Sequence, residues 1–229
     1  MAKIRTRARA VDMLGRQQIA GIQNAVSELF KNAHDAYAKN VRIDYFEKNG
    51  KNGEGLLVIR DNGVGMTHDD FLNKWLVLGT ESKFSHSSRS GYIPVGYDQR
   101  PITGEKGIGR LAIALLGRQV LVVTRAVRED GPNDLVMAWI HWGLFEIPGV
   151  DIEDIEVPVS THHGPTLPSI EDIVHLKGKL LACVKELEIR KPHAAYEKII
   201  REIQGFSPKL QELDEFFQSR ESERLELVG

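Results

Sequence analysis

Apolar positions recur with a helical period between residues 22 and 36. The apolar stripe comprises Ile22, Val26, Leu29, Ala33 and Ala36. These positions fall within an arc of about 80° on a helix of 3.6 residues per turn. We therefore predict a helix from about residue 17 to about residue 39, with this face directed into a hydrophobic core.

A polar stripe runs along the same predicted helix. It comprises Glu28, Asn32 and Asp35, at positions i, i+4 and i+7, a spacing that puts side chains on one helix face. A carboxylate one turn from a carboxamide suits general-base chemistry beside a metal ion. The same three side chains also fit a solvated helix face, so this helix alone leaves both interpretations open.

Further apolar runs predict a sheet. Residues 41–45 alternate between apolar and polar, and residues 56–60 form a more continuous apolar run. With the glycine-rich turn between them they predict an antiparallel hairpin. Three more strands are predicted at residues 119–125, 135–140 and 152–159. Two more helices are predicted, one from the capping box at Thr67–Asp70 to near Gly79 and one over residues 111–116.

The chain divides into three predicted regions. Residues 1–14 form a basic arm with Lys3, Arg5, Arg7 and Arg9 at alternate positions, either a frayed terminus or an arm that reaches a partner protomer or a phosphate. Residues 15–165 form the main domain. Residues 166–229 form a helical extension, with charged helical stretches at residues 169–190, 193–204 and 207–226. Its first stretch has a packing stripe of Ile173, Leu180, Val184 and Leu187.

Composition sets limits but names no function. The chain has 229 residues, 41% of them hydrophobic and 27% charged, with a formal net charge of −2. This balance implies no strong preference for nucleic acid or membrane surfaces. The single cysteine, Cys183, excludes an internal disulfide and fits a reducing compartment. We expect a cytoplasmic protein.

Three loops carry candidate chemistry. Asp61–Met66 follows a strand and contains Gly63 and Gly65, which allow a sharp turn and close approach of a ligand to the backbone; a simple turn is the alternative. Residues 80–103 form a long basic loop without periodicity, which favours a mobile lid over an anionic ligand. Residues 104–110 place glycines directly before a predicted helix, an arrangement that suits phosphate binding.

These motifs occur in a specific order. A helix with Glu28 and Asn32 is followed by Asp61-x-Gly63-x-Gly65, the lid, Gly104-x-x-Gly107-x-Gly109 and a strand with Thr124. The order resembles the Bergerat ATP-binding fold of the GHKL superfamily, which groups gyrase, the ninety-kilodalton heat-shock chaperones, MutL, MORC proteins and histidine kinases. The resemblance covers about residues 15–145. It implies an α+β fold, an α/β sandwich with helices over one face of a mixed, mainly antiparallel sheet.

The resemblance assigns the catalytic and metal roles. Asn32 resembles the ligand of Mg²⁺, and Glu28 resembles the base that orients or deprotonates the attacking water. Asp35 is expected behind them, orienting its neighbours. These roles fit the chemistry, since a carboxamide oxygen suits a hard cation and phosphoryl transfer needs positioning and charge neutralisation.

The resemblance also assigns the contacts to ATP. Asp61 is expected to accept from the adenine amino group, with Gly63, Gly65 and Met66 shaping the base pocket and Thr124 as a second adenine contact. Gly79, Thr80 and Lys83 resemble the start of the lid in the chaperone and MORC branches. The expected phosphate-binding residues are Gly104, Lys106, Gly107, Ile108, Gly109 and Arg110.

The hydrolytic branches fit better than the kinases. Histidine kinases of this fold typically carry Asn at the position of Glu28 and Lys at that of Asp35, and no helical hairpin with a phosphorylatable histidine precedes the domain. We expect Mg²⁺-dependent ATP hydrolysis, lid closure and ATP-driven homodimerisation, as a switch within a larger protein or complex. The lysine that a following domain supplies in gyrase, MutL and the chaperones is not identified, which predicts slow turnover. The competing interpretation is an ATP-gated module that binds an effector protein or DNA.

Overall fold

A computed structural model describes residues 5–18, 21–47, 55–78, 92–101, 103, 109–164 and 167–206. The strands are β1 (Val41–Glu47), β2 (Gly55–Asp61), β3 (Gln119–Arg128), β4 (Gly131–His141) and β5 (Val159–His162). The helices are α1 (Arg9–Gln18), α2 (Ile22–Asp35), α3 (His68–Asp70), α4 (Ile113–Leu116), α5 (Ile170–Arg190) and α6 (Ala195–Gly205). A π-helical turn, Phe71–Trp75, continues α3, and a 3-10 turn, Gly109–Ala112, leads into α4.

The strands form two antiparallel ladders. β1 pairs with β2, so that Val41 lies opposite Asp61, and β4 lies between β3 and β5. Val127 in β3 donates its N–H to the carbonyl of Val64, 3.1 Å away, which ties the loop after β2 to β3. The predicted hairpin and α+β fold are confirmed, with every pairing among the described residues antiparallel.

The main core forms around β4. Its residues 135–140 are buried, and buried side chains of α5 and α6 pack into the same cluster. The predicted packing stripe of α5 is confirmed, since Ile173, Leu180, Val184 and Leu187 are all buried. Ala8 and Val11 near the N-terminus belong to this cluster too. The described part of the helical extension therefore shares one hydrophobic core with β4 and with residues 8–11.

Two predicted elements differ from the structure. The helix predicted from about residue 17 to about residue 39 is confirmed as α2, but α2 is shorter and follows Gly21, which has a positive φ of 92°. The separate helix α1 begins within the predicted basic arm and was not predicted. The strand predicted at residues 152–159 was wrong. Asp151 and Asp154 form a capping box there, which starts a short 3-10 turn, and β5 begins only at Val159.

The described part of the basic arm binds its own chain. Arg5 and Arg7 both form ion pairs with Asp151, whose side chain is almost fully buried. The N–H of Ile152 donates to the carbonyl of Thr6, and the N–H of Ala8 donates to that of Val150. These contacts hold residues 5–8 against the turn that follows β4. No helix in the described ranges is long and apolar enough to cross a membrane.

Candidate functional site

Glu28 on α2 lies beside Gly109, the last glycine of the glycine-rich motif. Its Oε1 lies 2.6 Å from the ammonium nitrogen of Lys31, one turn later on α2. Its Oε2 approaches Gly109, where an added methyl group would lie only 2.6 Å from that oxygen. The carboxylate end of Glu28 therefore lies directly against the backbone at Gly109, and a larger residue at 109 would displace it. Each oxygen of Glu28 thus faces a different neighbour.

Small side chains explain why α2 approaches residues 109–116. Ala25 of α2 and Ala112 are both fully buried against each other, with Leu115 and Leu116 packed around them. The predicted apolar stripe is correct for the buried Ala33 but not for Ile22, which is 65% exposed. Ala25, which was not in the predicted stripe, packs against Ala112, because small residues let two backbone segments approach closely.

Asp35 contacts the end of the predicted lid. Its Oδ1 accepts hydrogen bonds from the N–H and the hydroxyl of Thr103, at 2.9 Å and 2.8 Å. Asn32, one turn before, is exposed. The described residues hold no group of three or more His, Cys, Asp and Glu side chains that could bind a metal. A single carboxamide oxygen still fits Mg²⁺, which keeps several waters and is held largely by substrate phosphates.

Asp61 lies where β2 ends. Its Oδ1 accepts the N–H of Gly63 at 2.8 Å. Burial raises the pKa of the Asp61 carboxyl, and this hydrogen bond opposes the rise. Gly63 itself is buried against the end of α2, where a methyl group would lie 2.7 Å from the carbonyl oxygen of Ala36. Gly65 has a positive φ of 58°, which favours glycine. Close packing therefore explains the glycine at residue 63, and a positive φ explains the glycine at residue 65.

Thr124 contacts the same loop from β3. Its side chain is fully buried, and its hydroxyl oxygen accepts the N–H of Met66 at 3.1 Å. The hydroxyl proton remains available to donate. The loop after β2 thus contacts Ala36 at the C-terminal end of α2 and Thr124 of β3, whereas Glu28, two turns earlier on α2, lies beside Gly109.

Sequence reasoning missed Arg128, the last residue of β3. It donates to the carbonyl of Val64 at 2.8 Å and to Oδ2 of Asp70 at 3.0 Å. Burial alone would raise the pKa of Asp70, but hydrogen bonds from Lys74 and Thr67 lower it below its ordinary value. The capping box pointed to Asp70 as a helix start. A lone arginine after a strand gave no comparable signal.

The described part of the predicted lid rests on the end of α2. Arg100 donates to the carbonyls of His34 and Ala38, at 3.1 Å and 3.2 Å. A cation suits the carbonyl-rich end of a helix. The Arg100 guanidinium also lies 5.2 Å from the ring centroid of Tyr37, a residue with a positive φ of 64°. Residues 92–101 are therefore tied to α2 by polar and aromatic contacts.

Several predicted site residues lie outside the described residues. They are Gly79, Thr80, Lys83, Gly104, Lys106, Gly107 and Ile108, and the side chain of Arg110 belongs with them.

A second polar cluster lies away from these loops, where β4 meets α6. His141 is fully buried, its Nδ1 accepts the N–H of Gly143 at 3.2 Å, and its Nε2 lies 2.9 Å from Glu202. Burial lowers the pKa of His141 to about 4. A cavity of about 200 Å³ beside it is lined by Arg118, Glu146 and Lys198, among others. Arg118 pairs with both Glu146 and Glu202, and Lys198 pairs with Glu202 as well, so two cations balance the two carboxylates.

Comparison with known proteins gives one family match. The profile described as "Histidine kinase-, DNA gyrase B-, and HSP90-like ATPase" matches residues 20–141. Those residues include Glu28, Asn32, Asp61 and Thr124.

Individual relatives are similar over parts of the chain. "ATPase morc-1" of Caenorhabditis elegans is 32% identical over 112 residues, covering 48% of this chain and 11% of the relative. "Chaperone protein HtpG" of Escherichia coli O1:K1 is 28% identical over 152 residues, covering 59% of this chain and 23% of the relative. "Endoplasmin homolog" of Leishmania donovani is 33% identical over 76 residues, covering 32% and 10%. The matches span between a tenth and a quarter of these relatives' lengths.

Proposed function

Because the chain belongs to the histidine kinase-, DNA gyrase B- and HSP90-like ATPase family, we propose that it binds ATP with Mg²⁺ and slowly hydrolyses ATP to ADP and phosphate. The observation that carries this proposal is the approach of the Glu28 carboxylate to Gly109, where an added methyl group would lie 2.6 Å from Oε2. A carboxylate beside a glycine-rich backbone turn suits activation of water next to a phosphate.

In the proposed reaction, Glu28 orients a water molecule and accepts its proton. The water oxygen bonds to the γ-phosphorus, and the bond from that phosphorus to the β–γ bridging oxygen breaks, so that ADP leaves. Asn32 would hold Mg²⁺, which neutralises charge on the phosphates. Asp35, bound to Thr103, would orient its neighbours on α2. Slow turnover is expected, because the lysine that a following domain supplies in gyrase, MutL and the chaperones is not identified among the described residues.

The base side of the proposed site lies in the loop after β2. Asp61 would accept from the adenine amino group, since its carboxyl is half-buried at the end of β2 and its Oδ1 already accepts the N–H of Gly63. Gly63, Gly65 and Met66 would shape the pocket, and Thr124, whose oxygen already accepts from Met66, would donate its hydroxyl proton on the adenine side.

The phosphate side would use the glycine-rich segment before α4. Gly104, Lys106, Gly107, Ile108, Gly109 and Arg110 are the proposed phosphate contacts, and Gly79, Thr80 and Lys83 the proposed start of the lid. We further propose that lid closure accompanies homodimerisation, so that ATP acts as a switch toward an effector protein, subunit or DNA. The name of one relative, "ATPase morc-1", supports ATP hydrolysis in general.

The test is ATP turnover at increasing protein concentration. The wild-type protein is compared with Glu28→Ala and with Glu186→Ala, which removes an exposed carboxylate on α5. We expect Glu28→Ala to abolish turnover while ATP binding persists, and Glu186→Ala to behave as wild type. A rate that rises more steeply than protein concentration would support a dimerising ATPase.

Two results would contradict the proposal. Equal loss of binding and turnover in Glu28→Ala would remove its role as base. Tight ATP binding by the wild-type protein with no turnover at any concentration would instead support a module in which ATP binding alone controls the partner.

A further inference from the structure

Arg128 connects three parts of the chain that are distant in sequence. One guanidinium nitrogen donates to the carbonyl of Val64, and the other donates to Asp70 at the start of the helical turn that follows. The Cζ atom of Arg128 lies 4.6 Å from the ring centroid of Tyr92, within the range of a cation–π contact. Arg128 therefore touches the loop after β2, α3 and the segment that begins at Tyr92.

The Val64 carbonyl connects the loop after β2 to the end of β3. It accepts one hydrogen bond from the backbone N–H of Val127 and a second from Arg128. A carbonyl oxygen has two lone pairs, so both are used. Val64 stands between Gly63 and Gly65, two residues with little intrinsic conformational restriction. These two bonds hold the middle of the loop against β3, in addition to the bond from the Val64 N–H to the carbonyl of Ala36.

Burial makes the Arg128 contacts stronger than ordinary surface pairs. The side chains of Arg128 and Asp70 are each only 19% exposed. Partly desolvated, charge-assisted hydrogen bonds are stronger than those between solvated groups. Removing the guanidinium would also leave the Val64 carbonyl with one donor fewer.

We propose that Arg128 is a positioning residue for the base side of the nucleotide site, and that it determines affinity and selectivity for adenine nucleotides. This inference rests on the proposed function, in which Asp61 accepts from the adenine amino group. Guanine presents a carbonyl acceptor at that position, which a carboxylate would repel. A fixed loop keeps the Asp61 carboxylate in position to favour adenine over guanine, whereas a mobile loop would reduce this selectivity.

Lys74 provides a matched control, because it pairs with the same carboxylate from the other side. Its ammonium lies 2.5 Å from Asp70 Oδ1, whereas Arg128 binds Oδ2. If Arg128 acted only as an ion-pair partner of Asp70, then Arg128→Met and Lys74→Met would have similar effects.

The experiment measures ATP and GTP affinities of the wild-type protein, Arg128→Met, Arg128→Lys and Lys74→Met, together with amide hydrogen exchange without nucleotide. We expect Arg128→Met to raise the Kd for ATP about tenfold, the loss typical of a charge-assisted hydrogen bond. The Kd for GTP should change less than about twofold, since the base-specific contact is the one that weakens. Exchange at residues 61–66 should quicken.

The conservative variant and the control complete the test. Arg128→Lys keeps the charge but not the planar fork, so its ATP affinity should lie between wild type and Arg128→Met. Lys74→Met should leave affinity and loop exchange unchanged. The turnover rate at saturating ATP should stay near wild type in all three variants.

Two outcomes would overturn the inference, and they are distinguishable. Wild-type ATP binding with equal affinity and equal loop exchange in Arg128→Met and Lys74→Met would overturn this role of Arg128 alone. Absence of ATP binding by the wild-type protein would overturn the proposed function, and this inference with it.

Discussion

Gly63 illustrates, at the scale of one residue, how backbone approach shapes the candidate site. The added methyl of an alanine would lie 2.7 Å from the carbonyl oxygen and 2.9 Å from the Cβ of Ala36. Neither the backbone of α2 nor the loop can move without disturbing the Val64 N–H, which donates to that same carbonyl. Space, rather than conformational freedom, requires glycine here.

We therefore expect Gly63→Ala to destabilise the protein by roughly 1–3 kcal/mol, the range for overpacking a filled site. It should also weaken ATP binding, because Asp61 accepts the N–H of residue 63. The free energy of unfolding in urea and the ATP Kd are the measurements.

Gly178 is the matched control. It lies in α5, and an added methyl would meet no atom within 4 Å. Gly178→Ala should stabilise the helix by about 0.5–1 kcal/mol. Equal stability changes in the two variants would show that close packing at Gly63 is not the cause.

Single residues differed in how far the sequence revealed them. Glu28, Asp61 and Thr124 were predicted as site residues from the order of motifs, and the structure brings Glu28 to Gly109 and Thr124 to Met66. Their assignment to ATP contacts remains a prediction. Arg128 was not predictable, because its contacts with Val64, Asp70 and Tyr92 join positions far apart in sequence.

At the scale of elements, local patterns predicted strands better than helix ends. The hairpin of β1 and β2 follows from alternation and a glycine-rich turn, which are local signals. Gly21 lies between α1 and α2 and has a positive φ. Its presence in the sequence did not identify the break, because a glycine does not end every helix in which one occurs. Packing of Ala25 against Ala112 likewise depends on a partner segment that periodicity in α2 does not identify.

The junction of β4 and α6 predicts a pH dependence of stability. Buried His141 is neutral, with Nδ1 accepting from Gly143 and Nε2 lying 2.9 Å from Glu202. Its pKa is lowered from 6.5 to about 4, mainly by burial, with Glu202 opposing and Arg118 adding to the effect. Between these values the unfolded chain binds more protons than the folded one, so stability falls as pH falls.

Through His141, the free energy of unfolding should fall by roughly 3 kcal/mol as the pH is lowered from 6.5 to 4. Urea unfolding across that range is the measurement. His141→Gln, which keeps a donor toward Glu202, should flatten the dependence, and His175→Gln, at an exposed position of α5, should not. An unchanged slope in His141→Gln would contradict the assignment.

At the scale of the whole molecule, α5 and α6 of the helical extension share a hydrophobic core with β4. Leu180, Val184 and Tyr196 are buried in the same cluster as Trp139 of β4. The sequence predicted the apolar stripe of α5, but an amphipathic helix does not specify which surface will cover it. Trp139 and the other β4 side chains supply that surface.

The candidate ATP site is also a property of the whole molecule, since it needs α2, the loop after β2 and β3 together. The most direct test of the central claim is calorimetric titration of MgATP into the wild-type protein, Asp61→Asn and Asp44→Asn. Asp44 lies on the opposite face of the same hairpin, paired with Arg42 and Arg60.

We predict that the wild-type protein and Asp44→Asn bind ATP with similar affinity, and that Asp61→Asn binds at least about tenfold more weakly, because the acceptor for the adenine amino group is lost. Absence of binding by the wild-type protein, or equal affinity in Asp61→Asn, would contradict the account.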